Sequence, residues 1–116
     1  DIDIIDDHRI SIYNNNTKNF WDGYKVDGEN EVLIYDFSTE KYESYQKENF
    51  INDSISTLNA GIHEILENGD LFIEETNYGR LLYYDNLKKL RWVFLNQSVD
   101  GFEYSVSWSR IIYKEH

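Results

Sequence analysis

Short apolar runs recur along the whole chain: Ile2 to Ile5, Ile10 to Tyr13, Val32 to Tyr35, Ile62 to Leu66, Leu71 to Ile73, Leu81 to Tyr84, Trp92 to Leu95 and Tyr104 to Ile112. Turn-forming residues separate them, and this spacing predicts many short antiparallel strands. The strongest local signal is Glu67-Asn68-Gly69-Asp70, because Asn-Gly suits the left-handed positions of a tight hairpin turn, where a Cβ is otherwise penalised. A second hairpin is expected at Thr76-Asn77-Tyr78-Gly79 and a third at Asp85-Asn86-Leu87-Lys88-Lys89. Residues 62–96 then read as a four-stranded meander.

The first half of the chain repeats the second. Val32-Leu33-Ile34-Tyr35-Asp36 matches Leu81-Leu82-Tyr83-Tyr84-Asp85. Ile2-Asp3-Ile4-Ile5-Asp6-Asp7 followed by Ile10-Ser11-Ile12 matches His63-Glu64-Ile65-Leu66-Glu67-Asn68 followed by Leu71-Phe72-Ile73. A repeat of roughly 50 residues with four strands in each unit is the signature of propeller blades. The expected fold is therefore all-β, made of antiparallel four-stranded meanders that form a partial β-propeller of about two blades. The first blade covers 1–60 and carries a long inserted loop at 17–31, with Phe20, Trp21, Gly23, Tyr24 and Gly28 in it. The second covers 61–116 and includes a strand of the next blade. The stretch 47–60 reads as a loop, with Asn52-Asp53-Ser54 as an alternative cap for a short helical turn.

Composition supports this reading and narrows the function. The 116 residues include ten Tyr, six Phe and three Trp but no Pro, a balance that favours pleated, half-buried surfaces. With 22 acidic against 11 basic residues the net charge is −11, a field that repels phosphate backbones and anionic lipid headgroups. Nucleic-acid and membrane-surface binding are not expected. No apolar run reaches the roughly 20 residues that span a bilayer. The chain opens on Asp1 with no signal segment before it, and it reads as a piece of something longer. There is no Cys, and the three His stand far apart without metal-ligand spacing, so neither a metal nor a cofactor is expected.

The run from Gly61 to Glu75, then Gly79-Arg80-Leu81 and Leu90-Arg91-Trp92-Val93-Phe94-Leu95-Asn96, resembles a blade of the arylsulfotransferase-like propellers. Those blades combine a His, two apolar residues, an Asn-Gly-Asp/Asn turn, an apolar strand, Gly-Arg, and a Trp strand ending in Asn. Arg9 to Asn16, Asp100-Gly101 and Ser107-Trp108-Ser109-Arg110 look similar to the same family. The resemblance implies exported enzymes, periplasmic or secreted, that move a sulfuryl group from an aryl sulfate to a phenolic acceptor through a channel histidine. The rest of the parent propeller would be the other partner.

On that reading His63 and Arg80 are the candidate catalytic residues, imidazole as nucleophile and guanidinium as a fork for sulfate oxygens. Asn14, Asn16 and Arg110 are candidate substrate-binding residues: the Asn run offers amide donors, and Arg110 is expected on the same side of its strand as Trp108. Plainer roles stand beside these. His63 is equally suited to a hydrogen-bonded position on an inner strand, Arg80 to an ion pair with Glu74 or Glu75, and the Asn run to capping its own turn. His8 reads as an exposed turn residue and His116 as a terminal one. Trp92 and Trp108 are expected to stack between blades. Strand alternation places Glu74 and Glu75 on opposite faces, against a shared carboxylate site. The other class of function is a non-catalytic propeller segment, a ligand- or protein-binding platform whose contact surface is the aromatic loop around Phe20, Trp21 and Tyr24.

Overall fold

The computed structural model describes residues 1–102 and 104–112. Among them are two four-stranded antiparallel sheets and a separate two-stranded hairpin. The first sheet contains β1 (Ile2–Ile4), β2 (Arg9–Asn14), β5 (Glu31–Asp36) and β6 (Lys41–Ser44), in that order. Between β2 and β5 the chain detours through β3 (Thr17–Phe20) and β4 (Gly23–Val26). The second sheet is an uninterrupted meander of β7 (Ile62–Ile65), β8 (Leu71–Glu75), β9 (Arg80–Tyr84) and β10 (Leu90–Leu95). The two repeats of the sequence thus correspond strand by strand, β1 with β7 and β5 with β9. The chain is all-β, and its paired meanders have the form of adjacent propeller blades.

Turn chemistry fixes the registers. At the Asn68-Gly69 turn the Gly69 amide donates to Leu66 O and the Leu66 amide to Asp70 O, with Gly69 at φ +92°. Asp70 then ties two hairpins together: its Oδ1 accepts the Asn86 amide and its Oδ2 the Tyr83 hydroxyl. The Tyr83 bond is the main reason the Asp70 carboxyl stays below the usual range.

Alternation decides what each sheet buries. Ser11 and Tyr13 of β2 share a face with Val32 and Ile34 of β5, their register partners, and all four are buried. Leu71, Ile73, Leu82 and Tyr84 form the matching face of the second sheet, and together with Tyr13, Val32, Phe50 and Ile55 they make the core. The opposite faces are apolar as well: Ile2 and Ile4 on one side, Trp92 and Phe94 on the other, all exposed.

The structure departs from the sequence expectation in four places. The inserted segment carries a hairpin instead of an unstructured loop, held at its base by reciprocal bonds of Asn16 and Asp27. Residues 47–52 are helical, as α1 (Lys47–Asn52), because Phe50 docks its ring in the core; Asn52 is the last residue of the helix and Asp53 its C-cap, so this stretch ends the helix and does not cap its start. Strand β6 supplies the fourth strand expected of the first blade, but at a polar run, Lys-Tyr-Glu-Ser, that no apolar signature marked. No strand forms among the described residues of 104–112. That segment is tethered by single bonds, Val106 N to Thr76 O and Ser109 N to Glu74 Oε1, and no ladder forms. Trp108, expected between blades, is 78% exposed, and Arg110 therefore has no strand on which to share a side with it.

Candidate functional site

His63 is the second residue of β7, two after Gly61, whose backbone at φ +113° passes close over the Tyr13 ring. Pairing with Ile73 places His63 on the face of the second sheet that meets the first, and only 1% of its surface reaches solvent. From the first sheet three residues converge on it. Ser11 Oγ lies 2.6 Å from His63 Nε2, and the Tyr13 ring stands 6.3 Å away, centroid to centroid. Asp3 shares the face of Ser11, its register partner, and its Oδ2 is 3.9 Å from Nε2. Asp1 comes in from the other side of the ring. Its Oδ2 accepts the His63 backbone amide at 2.9 Å and lies 3.0 Å from Nδ1. That approach misses hydrogen-bond geometry, so among the described residues Nδ1 is a buried polar atom with no hydrogen-bond partner.

Burial is the largest influence on the imidazole and pushes it down to about 4; the Arg110 charge acts in the same direction and Asp3 against it. At neutral pH the ring is uncharged, with one proton and one lone pair. Burial also pushes the Tyr13 phenol well above its ordinary range, so it stays protonated and donates to Asn30 Oδ1 at 2.7 Å.

The other residues singled out in the sequence lie elsewhere. Arg80 shares the sheet face of His63 but stands two strands away on β9, with Ile73 and Glu75 of β8 between them. Its Nε donates to Glu75, the ion pair of the plainer reading, and its Nη2 to Asp53 O at 2.7 Å. It borders a pocket of about 430 Å³ together with Ser54, Ser56, Tyr78, Val93 and Leu95, which His63 does not line. Asn14 Nδ2 donates to Glu31, and Asn16 Nδ2 to Asp27 O, with Asn16 itself at φ +58° as a turn-ending Asn. Asn15, between them, spends its amide on Thr57 O and Ala60 O. Arg110 donates to Ser109 O, and of the flagged cations it is the one whose field reaches His63. His8 sits exposed beside Asp7, 2.7 Å from Oδ1, and that bond raises its affinity for protons. His116 lies outside the described residues.

Glu74 and Glu75 point to opposite faces: Glu74 accepts from Thr76 Oγ1 and the Ser109 amide, Glu75 from the Ser56 amide and Arg80. The sequence reading missed Asp1, Asp3 and Ser11 as neighbours of His63. The repeat held the signal, since aligning β1 with β7 puts Asp3 and His63 on corresponding inner strands.

Among the described residues no helix is long and apolar enough to cross a membrane. Neither a curated protein nor a solved structure matches the chain. A family model described as arylsulfotransferase (ASST) matches residues 1–97, a span that takes in both sheets and all four residues gathered around the His63 ring. The chain therefore belongs to the arylsulfotransferase (ASST) family.

Proposed function

We propose that this chain supplies two blades of an enzyme that moves a sulfuryl group from an aryl sulfate to a phenolic acceptor, and that His63 is the histidine of this segment that carries it. The observation that supports the role is the Nδ1 atom. In the tautomer that gives the Nε2 proton to Ser11, Nδ1 keeps its lone pair and makes no hydrogen bond. An uncharged imidazole held in one tautomer is the form a nucleophile needs.

In the first half-reaction Nδ1 attacks sulfur and the S–O bond to the aryl group breaks, its electron pair leaving with the phenolate. In the second the phenol oxygen attacks sulfur and the N–S bond breaks; the proton of the incoming phenol offsets the charge of the departed phenolate. Asp1, whose side chain is 19% exposed, is the neighbour of Nδ1 that reaches solvent, and a substrate would have to displace it to reach the buried nitrogen. Of the candidate arginines, Arg110 is the one whose charge acts on His63, and it would face sulfate oxygens there, while Arg80, Asn14 and Asn16 hold neighbouring loops in place. Export of the protein, to the periplasm or beyond the cell, fits the same reading.

The test is release of nitrophenolate from 4-nitrophenyl sulfate with phenol as acceptor. Turnover in the wild type and its loss in His63→Gln, with far-UV circular dichroism unchanged, is the expected result. Equal turnover in both removes His63 from the mechanism.

A second reading has its own observation. The β3–β4 hairpin presents Phe20, Trp21 and Tyr24 to solvent, with Trp21 at the tip 98% exposed. An aromatic tip on a pinned hairpin suits a binding platform. Wild-type protein without sulfate transfer, yet with Trp21 fluorescence that responds to phenolic ligands, would favour it.

A further inference from the structure

The two sheets are built to one register. Ile12 pairs with Ile2 and Leu33 in the first sheet as Ile73 pairs with His63 and Leu82 in the second; Ile10 pairs with Ile4 and Tyr35 as Leu71 pairs with Ile65 and Tyr84. Position by position, Ser11, Val32 and Ile34 therefore correspond to Phe72, Leu81 and Tyr83, while Ile12, Leu33 and Tyr35 correspond to Ile73, Leu82 and Tyr84.

This correspondence crosses the line between buried and open faces. Within the chain, the face that carries Ser11, Val32 and Ile34 meets the face that carries His63, Ile73, Leu82 and Tyr84 in one core. The two faces left over are the same pair again. The outer face of the second sheet, with Phe72, Leu81 and Tyr83, is the equivalent of the first sheet's buried face. The outer face of the first sheet, with Ile2, Ile12, Leu33 and Tyr35, is the equivalent of the second sheet's buried face. Each open face is thus the natural partner of the other and not of itself.

The side chains agree. Where the internal interface has the buried polar pair Ser11 and His63, the equivalent positions of the open faces hold Phe72 and Ile2, both apolar. The segment after β10 reaches over one end of the second open face, where the Ser109 amide donates to Glu74, and it leaves Trp92 and Phe94 41% and 48% exposed. We infer that a second copy of this chain docks head to tail, the outer face of its first sheet, with Ile2 and Ile4, laid on the outer face of the second sheet, with Trp92 and Phe94. The contact repeats the packing that already joins the two sheets of one chain, as in any stacked repeat. It is heterologous, so a pair of copies still has one open face of each kind, and copies add until the rotation closes a ring. Pairing of like faces would set Ile4 against Ile4 or Trp92 against Trp92, a packing with no counterpart between the two sheets of the chain.

This assembly rests on the two-blade fold and not on sulfuryl transfer, so association and turnover report on separate claims.

The experiment is light scattering coupled to size exclusion, at physiological ionic strength, on the wild type, on Ile4→Lys and Phe94→Lys separately, and on their equimolar mixture. Both side chains are exposed, so far-UV circular dichroism should not change. The wild type should exceed the mass of one chain, and each single variant should fall to that mass, 13.9 kDa, because each has lost one member of the complementary pair. The mixture should give two chains and nothing larger. In that pair the intact second sheet of Ile4→Lys covers the intact first sheet of Phe94→Lys, and both remaining faces carry a lysine. A monomeric wild type, which would leave these faces to a different partner, a single variant that still pairs through its intact face, or a mixture that stays monomeric would each overturn the inference.

Discussion

Ser11 and His63 join the two sheets through a single buried contact, Ser11 Oγ to His63 Nε2 at 2.6 Å, at positions far apart in the chain. Both are buried, Ser11 at 0% and His63 at 1% exposure, so neither has water to fall back on. Ser11→Ala leaves Nε2 as buried and unpaired as Nδ1 already is, and should cost about 1–3 kcal/mol. Urea unfolding at pH 7 measures it. A change of a few tenths would mean that the ring simply turns to another partner.

Acid should act through the same residue. The folded-state value of His63, about 4, lies below its ordinary 6.5, so the unfolded chain takes up the proton more readily. Stability is complete above about pH 6.5, falls as the pH drops towards 4, and this component levels off below that; the full loss is on the order of 3 kcal/mol. Unfolding midpoints measured across this window should slope for the wild type and flatten for His63→Gln. Carboxylates held low, such as Asp70, add their own losses only in more acid solution. Parallel slopes for the two proteins would refute the assignment.

Arg80 makes a different prediction from the one its place in the sequence motif invites. Glu75 is nearly wholly buried, and Arg80 is its charged partner. Arg80→Leu leaves that carboxylate uncompensated and should destabilise by about 3–5 kcal/mol. Adding Glu75→Gln should recover much of the loss, because the stranded charge is then gone. A double variant no more stable than Arg80→Leu would show that the bond to Asp53 O, and not the ion pair, is the main anchor.

The tight crossing beneath the site can be probed at Gly61. A Cβ there would come within 2.6 Å of Tyr13 Cε1, on a backbone at φ +113° that side chains rarely adopt. Tyr13 cannot move freely, since its hydroxyl is tied to Asn30 inside the core. Gly61→Ala should therefore cost about 2 kcal/mol or more by denaturant unfolding. It should also shift the ring resonances of Tyr13 and His63; unchanged spectra would count against the close approach.

Much of the fold was legible because the signals were local. Asn68-Gly69 marked a turn, apolar alternation marked the strands that feed the core, and the internal match between Val32 to Asp36 and Leu81 to Asp85 identified equivalent strands of two sheets. What escaped lacked such signals. Strand β6 is polar because it lies at a sheet edge, and α1 is six residues long with a single buried anchor, Phe50. Tyr104 to Ile112 had the composition of a strand, but a strand needs a partner ladder and the segment has only isolated bonds. The site was legible in one residue only. His63 stood out by its motif, whereas Asp1, Asp3 and Ser11 reach it through packing between sheets, which no sequence spacing encodes.

The outer faces of the two sheets carry the last prediction. In β1 the alternation that turns Asp1 and Asp3 inward turns Ile2 and Ile4 outward, and they are 64% and 83% exposed. On the far side Trp92 stacks on Tyr83 at 5.5 Å and approaches Phe72, but with Phe94 it still leaves an apolar surface open. A lone sheet on a soluble protein would show polar residues there; a stacked repeat buries each such face against a neighbour. The 116-residue chain on its own should therefore self-associate, and light scattering coupled to size exclusion should report mass above that of one chain. Ile4→Lys together with Phe94→Lys should shift the population towards monomer without loss of strand content. A wild-type chain that stays monomeric at high concentration and unfolds in one sharp, reversible transition would show that these faces need no cover.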